Sequence, residues 1–253
     1  MHPVGTLGSV TATEPDWDTS TGRTPGPAMR LLNAVVPGVR RVRAQVDRYA
    51  AAWRDHNARA VREPRRRWVV LGDSMSQGVG ASAHDAGWVG QLDQRLRADG
   101  HDLAVLNLSA TGARTRDVLD RQLPVLESLP TQPDGTPAAL VTVLVGSNDL
   151  FGGREARAAL PSAMAELVDR LPAGSLVPTL PQPSAAADLA NEHVVRAAAR
   201  GRVVLVDLRE TGPTSWRGRL APDFFHPNDL GYAAMADALE PGVRAVLRAG
   251  QRG

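Results

Sequence analysis

Ser74 stands in Gly72-Asp73-Ser74, directly after the apolar run Trp68-Val69-Val70-Leu71. A hydroxyl delivered where a buried strand ends is a candidate nucleophile, but serine needs a base to be activated. Asp223-Phe224-Phe225-His226-Pro227 offers one. His226 can take the Ser74 proton, and Asp223, three residues earlier, can reach round a tight turn to the other ring nitrogen. Such a carboxylate fixes the histidine tautomer and stabilises the imidazolium that forms. Two further turns carry donors: Asn107-Leu108-Ser109-Ala110-Thr111-Gly112 and Gly146-Ser147-Asn148-Asp149. The Gly112 backbone amide and the Asn148 side-chain amide are suited to holding the oxyanion that forms during acyl transfer, where removing one donor costs roughly 10²–10³ in rate.

These residues meet only if the elements before them end on one edge. Short apolar runs at 68–71, 103–106, 139–145, 176–180 and 203–206 read as strands, and helical spacing of apolar residues separates them. Trp88, Leu92 and Leu96 mark one such helix, Val118, Leu119, Leu123 and Leu126 a second, and the residues from Leu230 to Leu247 the last. Alternating strands and helices predict a three-layer α/β/α fold with a parallel sheet of about five strands. The run from Ala139 to Val145 is apolar throughout, which requires burial on both sheet faces. In such a sheet all strands present their carboxyl ends on one edge, where open α/β folds bind their ligands.

The first 28 residues lack periodicity and the charged start and apolar middle of a signal peptide, and are expected to form a disordered tail. Residues 29–64 form an amphipathic segment: Val39, Val42, Val46, Tyr49 and Trp53 recur at helical spacing after Pro37, which suits a first helical position. It is expected to pack on the domain formed by residues 65–253. The chain has 253 residues, no cysteine and a net charge of +2, which exclude disulfides and thiolate metal sites and give no argument for nucleic acid. All 29 basic residues are arginine, a codon signature of a G+C-rich bacterial genome. No apolar stretch is long enough for stable membrane insertion, and a cytoplasmic location is expected.

The Gly-Asp-Ser, Asn107–Gly112, Gly146-Ser147-Asn148-Asp149 and Asp-x-x-His-Pro blocks, in this order, resemble those of the SGNH hydrolases, also called GDSL esterases and lipases. Met75 replaces the frequent leucine after the serine, and Gly231-Tyr232 follows the last block as it commonly does in the family. The resemblance covers about residues 67–248 and implies a flavodoxin-like fold. It also implies a triad of Ser74, His226 and Asp223, and an oxyanion hole formed by Ser74, Gly112 and Asn148.

No cofactor or metal is implied, since the six histidines lack ligand spacing and Gly78-Val79-Gly80 is only a fragment of a phosphate-binding loop. The absence of Gly-x-Ser-x-Gly argues against an α/β-hydrolase. The expected partner is a small acyl ester or acyl donor; the oligomeric state is not legible. Hydrolysis is the first reading. An intracellular O-acyltransferase moving a short or medium acyl chain, for example octanoyl, to a sugar or glycan-precursor hydroxyl is the alternative, and a non-catalytic α/β binding module a third. Arg114 and Arg116 flank the oxyanion loop, while Phe151 and Arg154 follow Asn148 in a glycine-bearing connection. These four are candidates for contacting an anionic or acyl part of the substrate, the last two as a lip over the site.

Overall fold

The computed structural model describes residues 17–18, 20–23 and 36–250. Its five strands are β1 (Arg66–Gly72), β2 (Leu103–Asn107), β3 (Leu140–Leu144), β4 (Ser175–Pro178) and β5 (Val203–Val206). They form one parallel sheet in the order β2-β1-β3-β4-β5. Because β1 lies between β2 and β3, the chain direction across the sheet reverses there. The crevice at that reversal is where doubly wound folds bind ligands.

Alternation along β1 explains the two-sided burial. Val69 and Leu71 join a core with Leu106, Val143 and Val177 on one face, whereas Trp68 and Val70 join Val105, Leu176 and Val206 on the other. After the short α4 (Thr115–Asp117), helices α5 (Leu123–Ser128), α7 (Arg154–Arg170) and α8 (Ala185–Ala199) supply the first face through Leu123, Leu160 and Val194. Helices α3 (Trp88–Ala98) and α10 (Asp229–Ala249) supply the second through Leu92, Tyr232 and Leu239. Burying each such side chain contributes about 1.5–3 kcal/mol, so both layers are needed to cover strands this apolar. The periodicity at 118–126 predicts one helix, but residues Val118–Gln122 adopt a π turn between α4 and α5. Two very short helices, α6 (Ser147–Phe151) and α9 (Leu208–Thr211), follow β3 and β5.

The amphipathic segment forms α1 (Pro37–Arg43), with Pro37 in its first turn, and α2 (Gln45–Ala60). Helix α2 covers the sheet edge at β2. Asn57 donates to the Asn107 carbonyl and accepts from the Asn107 N–H, both at 2.8 Å, and satisfies backbone groups that an edge strand otherwise exposes. The same helix braces the turn after β1: the Trp53 indole donates to the Gln77 carbonyl at 3.1 Å, and the Tyr49 hydroxyl donates to the Ala81 carbonyl at 2.9 Å.

The expected disordered tail needs a correction within the described residues. Trp17 is buried in the core that contains Leu108 and Leu123, and Asp18 pairs with Arg121 at 3.1 Å. Apolar burial and complementary charge hold this stretch in place despite its lack of periodicity. The remainder of residues 1–28 lies outside the described residues.

Candidate active site

Ser74 sits in the turn that leaves β1 and is buried. Its carbonyl accepts from the Val79 N–H at 3.0 Å, closing the turn. His226 reaches it from the loop before α10: Nε2 is 3.0 Å from Ser74 Oγ, and Nδ1 is 2.6 Å from Asp223 Oδ2. Asp223 Oδ1 accepts the backbone N–H groups of Phe225 at 3.1 Å and His226 at 3.0 Å, so the carboxylate orders the loop as well as the ring. Burial opposes ionisation of Asp223, but the His226 hydrogen bond, the His226 charge and these backbone donors outweigh it and hold its carboxyl below the usual range. Hydroxyl, imidazole and carboxylate therefore form one continuous hydrogen-bonded chain, a geometry in which the ring can take the hydroxyl proton.

Gly80 lets the two loops meet. Its φ is +100°, and a Cβ there would lie 2.4 Å from the Pro227 carbonyl oxygen and 2.7 Å from His226 Cβ. Close approach of the His226 loop accounts for Gly80, while at Gly78 (φ +78°) a Cβ would lie 2.7 Å from the His84 carbonyl oxygen.

The Asn107–Gly112 loop is tied to the Ser74 turn by side-chain amides. Asn107 donates to the Ser76 carbonyl at 2.7 Å, and Gln77 donates to the Ser109 carbonyl at 2.9 Å while accepting from the Thr111 hydroxyl at 2.5 Å. Gly112 adopts φ +78°, in the region that favours glycine.

Asn148, in α6, directs Nδ2 at two acceptors: Asp73 Oδ2 at 3.2 Å and the Ala113 carbonyl at 3.0 Å. Both neighbours are acceptors, so the amide must present nitrogen, not oxygen, on this side. Asp73 is fully buried next to the serine, and its other oxygen accepts the Met75 N–H at 3.0 Å. Burial pushes Asp73 up to about 6; the Met75 hydrogen bond and the His226 charge act against that, and the Asp149 carboxylate adds to it. Asp149 is itself raised by burial, although Thr115 donates to it from backbone and hydroxyl. Asp73 was not singled out from the sequence as more than part of a turn; its pairing with Asn148, 75 residues away, is made only by the sheet order.

Beside the triad opens a cavity of about 450 Å³, lined by Met75, Val145, Leu180, Trp216, Phe225 and Met235 among others. Polar groups reach it from Asp73, Ser147, Thr179 and Gln182, and among the described residues no arginine lines it. Phe151 does line it, 62% exposed at the mouth, with its ring edge-on to Phe225 at 5.6 Å between centroids. Phe225 in turn lies edge-on to His226 at 5.0 Å. The aromatic wall escaped sequence reading, because Phe224, Phe225 and Trp216 lie in loops without periodicity.

The three arginine candidates lie outside the lining of this cavity. Arg116 pairs with Glu166 on α7 at 2.8 Å and with Asp120 at 3.7 Å, which directs it along the helix surface. Arg114 extends toward the Gly152 carbonyl at 3.4 Å, and Arg154 begins α7. None of the three lines the cavity. The connection expected to act as a lip is largely helical: α6 ends at Phe151, and Arg157 donates twice to the Leu150 carbonyl, at 3.0 and 2.9 Å.

No curated protein sequence matches the chain. Several solved structures share its fold. The crystal structure of TesA aligns with a TM-score of 0.55 at 24% identity, covering 72% of this chain and 100% of TesA. The psychrotrophic esterase EstA from Pseudoalteromonas sp., in a form inhibited by monoethylphosphonate, aligns at 0.54 and 16% identity, covering 72% and 99%. The salicylyl-acyltransferase SsfX3 from a tetracycline biosynthetic pathway aligns at 0.52 and 20% identity, covering 73% of this chain and 56% of its own. These likenesses establish the architecture. Residues 70–234, well over half of the chain, match the GDSL-like lipase/acylhydrolase family, and the chain belongs to that family of SGNH hydrolases.

Proposed function

We propose that this chain is a serine-dependent acyl-ester hydrolase that works through Ser74, His226 and Asp223. Family membership makes it an esterase or acyltransferase. The observation that carries the finer reading is the unbroken chain from Ser74 Oγ through His226 to Asp223, at 3.0 and 2.6 Å, beside an apolar cavity. Ser74 Oγ attacks the ester carbonyl as His226 Nε2 takes its proton, and Asp223 stabilises the imidazolium. The N–H groups of Ser74 and Gly112 and the Asn148 amide hold the oxyanion. Collapse of the tetrahedral intermediate expels the alcohol, which takes the proton back from His226. Water, deprotonated by the same ring, then releases the acid from Ser74.

The cavity composition supports an acyl group that is apolar. Its polar lining groups are few, and each buried methylene contributes about 0.8 kcal/mol.

The test is labelling by a fluorophosphonate, followed by turnover of p-nitrophenyl esters of increasing chain length, with and without a sugar or polyol acceptor. Covalent labelling of Ser74 with release of free acid is expected. Acyl transfer to the added acceptor in place of free acid would make the protein an O-acyltransferase with the same triad. A chain that neither labels nor turns over would be a binding module on this fold.

A further inference from the structure

The described N-terminal residues run along the oxyanion loop, and their hydrogen bonds fall on the two peptide groups that flank Gly112. The Thr21 hydroxyl donates to the Thr111 carbonyl at 3.0 Å. That carbonyl belongs to the peptide group whose N–H is that of Gly112, and a peptide group is planar, so orienting one end orients the other. The Arg23 guanidinium donates to the carbonyl of Gly112 itself at 3.2 Å. Its other nitrogen donates to Asp117 Oδ1 at 3.0 Å, while Asp117 Oδ2 accepts the Arg114 N–H at 2.8 Å. The carboxylate thus holds Arg23 on one side and the end of the loop on the other. Ser20 also makes an isolated parallel bridge with Thr111.

Upstream, the strap is anchored by apolar burial and an ion pair rather than by bonds to the Gly112 peptide groups. Trp17 is buried beside a small cavity that it lines with Leu108, Ala110 and Val125, and Asp18 pairs with Arg121 at 3.1 Å. The anchoring matters because glycine at φ +78° has little intrinsic preference for one orientation of its neighbouring peptides. On its inner side the loop is braced by Gln77, through Ser109 and Thr111. On its outer side the described partners of Thr111 and Gly112 are the strap residues Thr21 and Arg23. Both lie outside residues 70–234, which carry the family match.

We infer that the strap formed by residues 20–23 is a working part of the active site, in which Thr21 and Arg23 are positioning residues that aim the Gly112 N–H at the reacting carbonyl. The inference rests on the hydrolase reading above. A donor that stabilises only the developing oxyanion affects kcat and leaves the Michaelis constant nearly unchanged, and misplacement by about 1 Å can cost up to a hundredfold. Loss of the Thr21 hydroxyl loosens the donor without removing it, so a smaller effect follows. Donation to the Thr111 carbonyl also polarises the Gly112 N–H in the same sense.

The experiment compares full-length wild type, Thr21→Val, Thr21→Ser, Arg23→Ala and Arg23→Lys in steady-state ester hydrolysis, with thermal melting of each. Thr21→Val should lower kcat about tenfold with KM within about twofold, at an unchanged melting temperature. Thr21→Ser, which keeps the hydroxyl, should restore kcat. Arg23→Ala should act in the same direction. Arg23→Lys should fall between it and wild type, because an ammonium can donate to one carbonyl but cannot span it and Asp117 as the planar fork does. Wild-type kcat in Thr21→Val, a loss expressed in KM, or a loss that Thr21→Ser does not rescue would overturn the inference. Wild-type protein without Ser74-dependent turnover would instead overturn the hydrolase reading, so the two failures are distinct.

Discussion

The Asn148 side-chain nitrogen lies 3.2 Å from the buried carboxylate of Asp73, the residue that immediately precedes Ser74. With the Ala113 carbonyl at 3.0 Å, both amide protons of Asn148 have acceptors before any substrate arrives. An oxyanion must draw one of them away, and the longer bond to Asp73 is the weaker to replace. In the mechanism proposed above, the pair holds the amide in place and yields it to the transition state. Asn148→Ala should lower kcat by roughly 10²–10³ with little change in KM. Asp73→Asn presents a second amide to Asn148 and should lower kcat less, by about tenfold, through misorientation. Steady-state kinetics of both variants decide this. A change confined to KM would make Asn148 a substrate-binding residue.

Ser74→Ala and His226→Ala should each reduce turnover by about three orders of magnitude or more, with melting temperatures near wild type. The double variant should be little worse than either alone, because nucleophile and base act as one unit. Asp223→Asn should lose less than His226→Ala. Near-normal turnover in either of the first two variants would dismiss the triad.

Burial of Asp73 also makes the stability of the fold depend on pH. Its folded pKa of about 6 is above the unfolded value of 3.8, so folding favours the protonated form. The stabilisation is fully present below 3.8 and is lost as pH rises through 6, a change of about 3 kcal/mol. Asp223, held below its usual range, behaves oppositely, and its contribution is lost only as pH falls through its depressed folded pKa. Asp73→Asn removes the first effect. Measured by urea unfolding, the variant should gain on wild type by about 2 kcal/mol between pH 4 and pH 7. A difference that stays constant across that range would show that Asp73 does not titrate there.

Gly80→Ala should disturb the meeting of the serine turn and the histidine loop, since the added Cβ would lie 2.4 Å from the Pro227 carbonyl at a φ of +100°. A loss of about 1–3 kcal/mol in stability is expected, with a drop in kcat that exceeds what partial unfolding explains. Chemical denaturation and kinetics on the same preparation check both parts. Full activity would mean that His226 does not depend on this approach.

At the cavity mouth, Phe151→Ala should impair long acyl esters more than acetyl esters, because the ring acts through apolar area at about 25 cal/mol per Å². Arg116→Ala and Arg154→Ala should leave neutral esters unaffected, as neither side chain lines the cavity. A chain-length series of p-nitrophenyl esters reads both. Equal effects of Phe151→Ala on every ester would place the acyl chain elsewhere.

Much of the candidate site's arrangement was legible in the sequence because the signals that set it are local. Strand runs bounded by turns predict parallel strands, and parallel strands must end on one edge, so Ser74, Gly112 and Asn148 are neighbours by topology. Asp223 and His226 are three residues apart, close enough for one loop to join them. Tertiary packing decided what no local pattern encodes. Arg116 is drawn outward by Glu166, a residue of another helix, and so leaves the cavity free of its charge. Thr21 and Thr111 are 90 residues apart, yet they share a hydrogen bond because Trp17 finds a place in the core. Asp73 acquires both its burial and its asparagine partner from the order of the strands. Periodicity reports which face of an element is apolar. Polar partners between distant segments depend on how those faces pack, and the positions of the aromatic wall, the strap and the Asp73 carboxylate were settled only there.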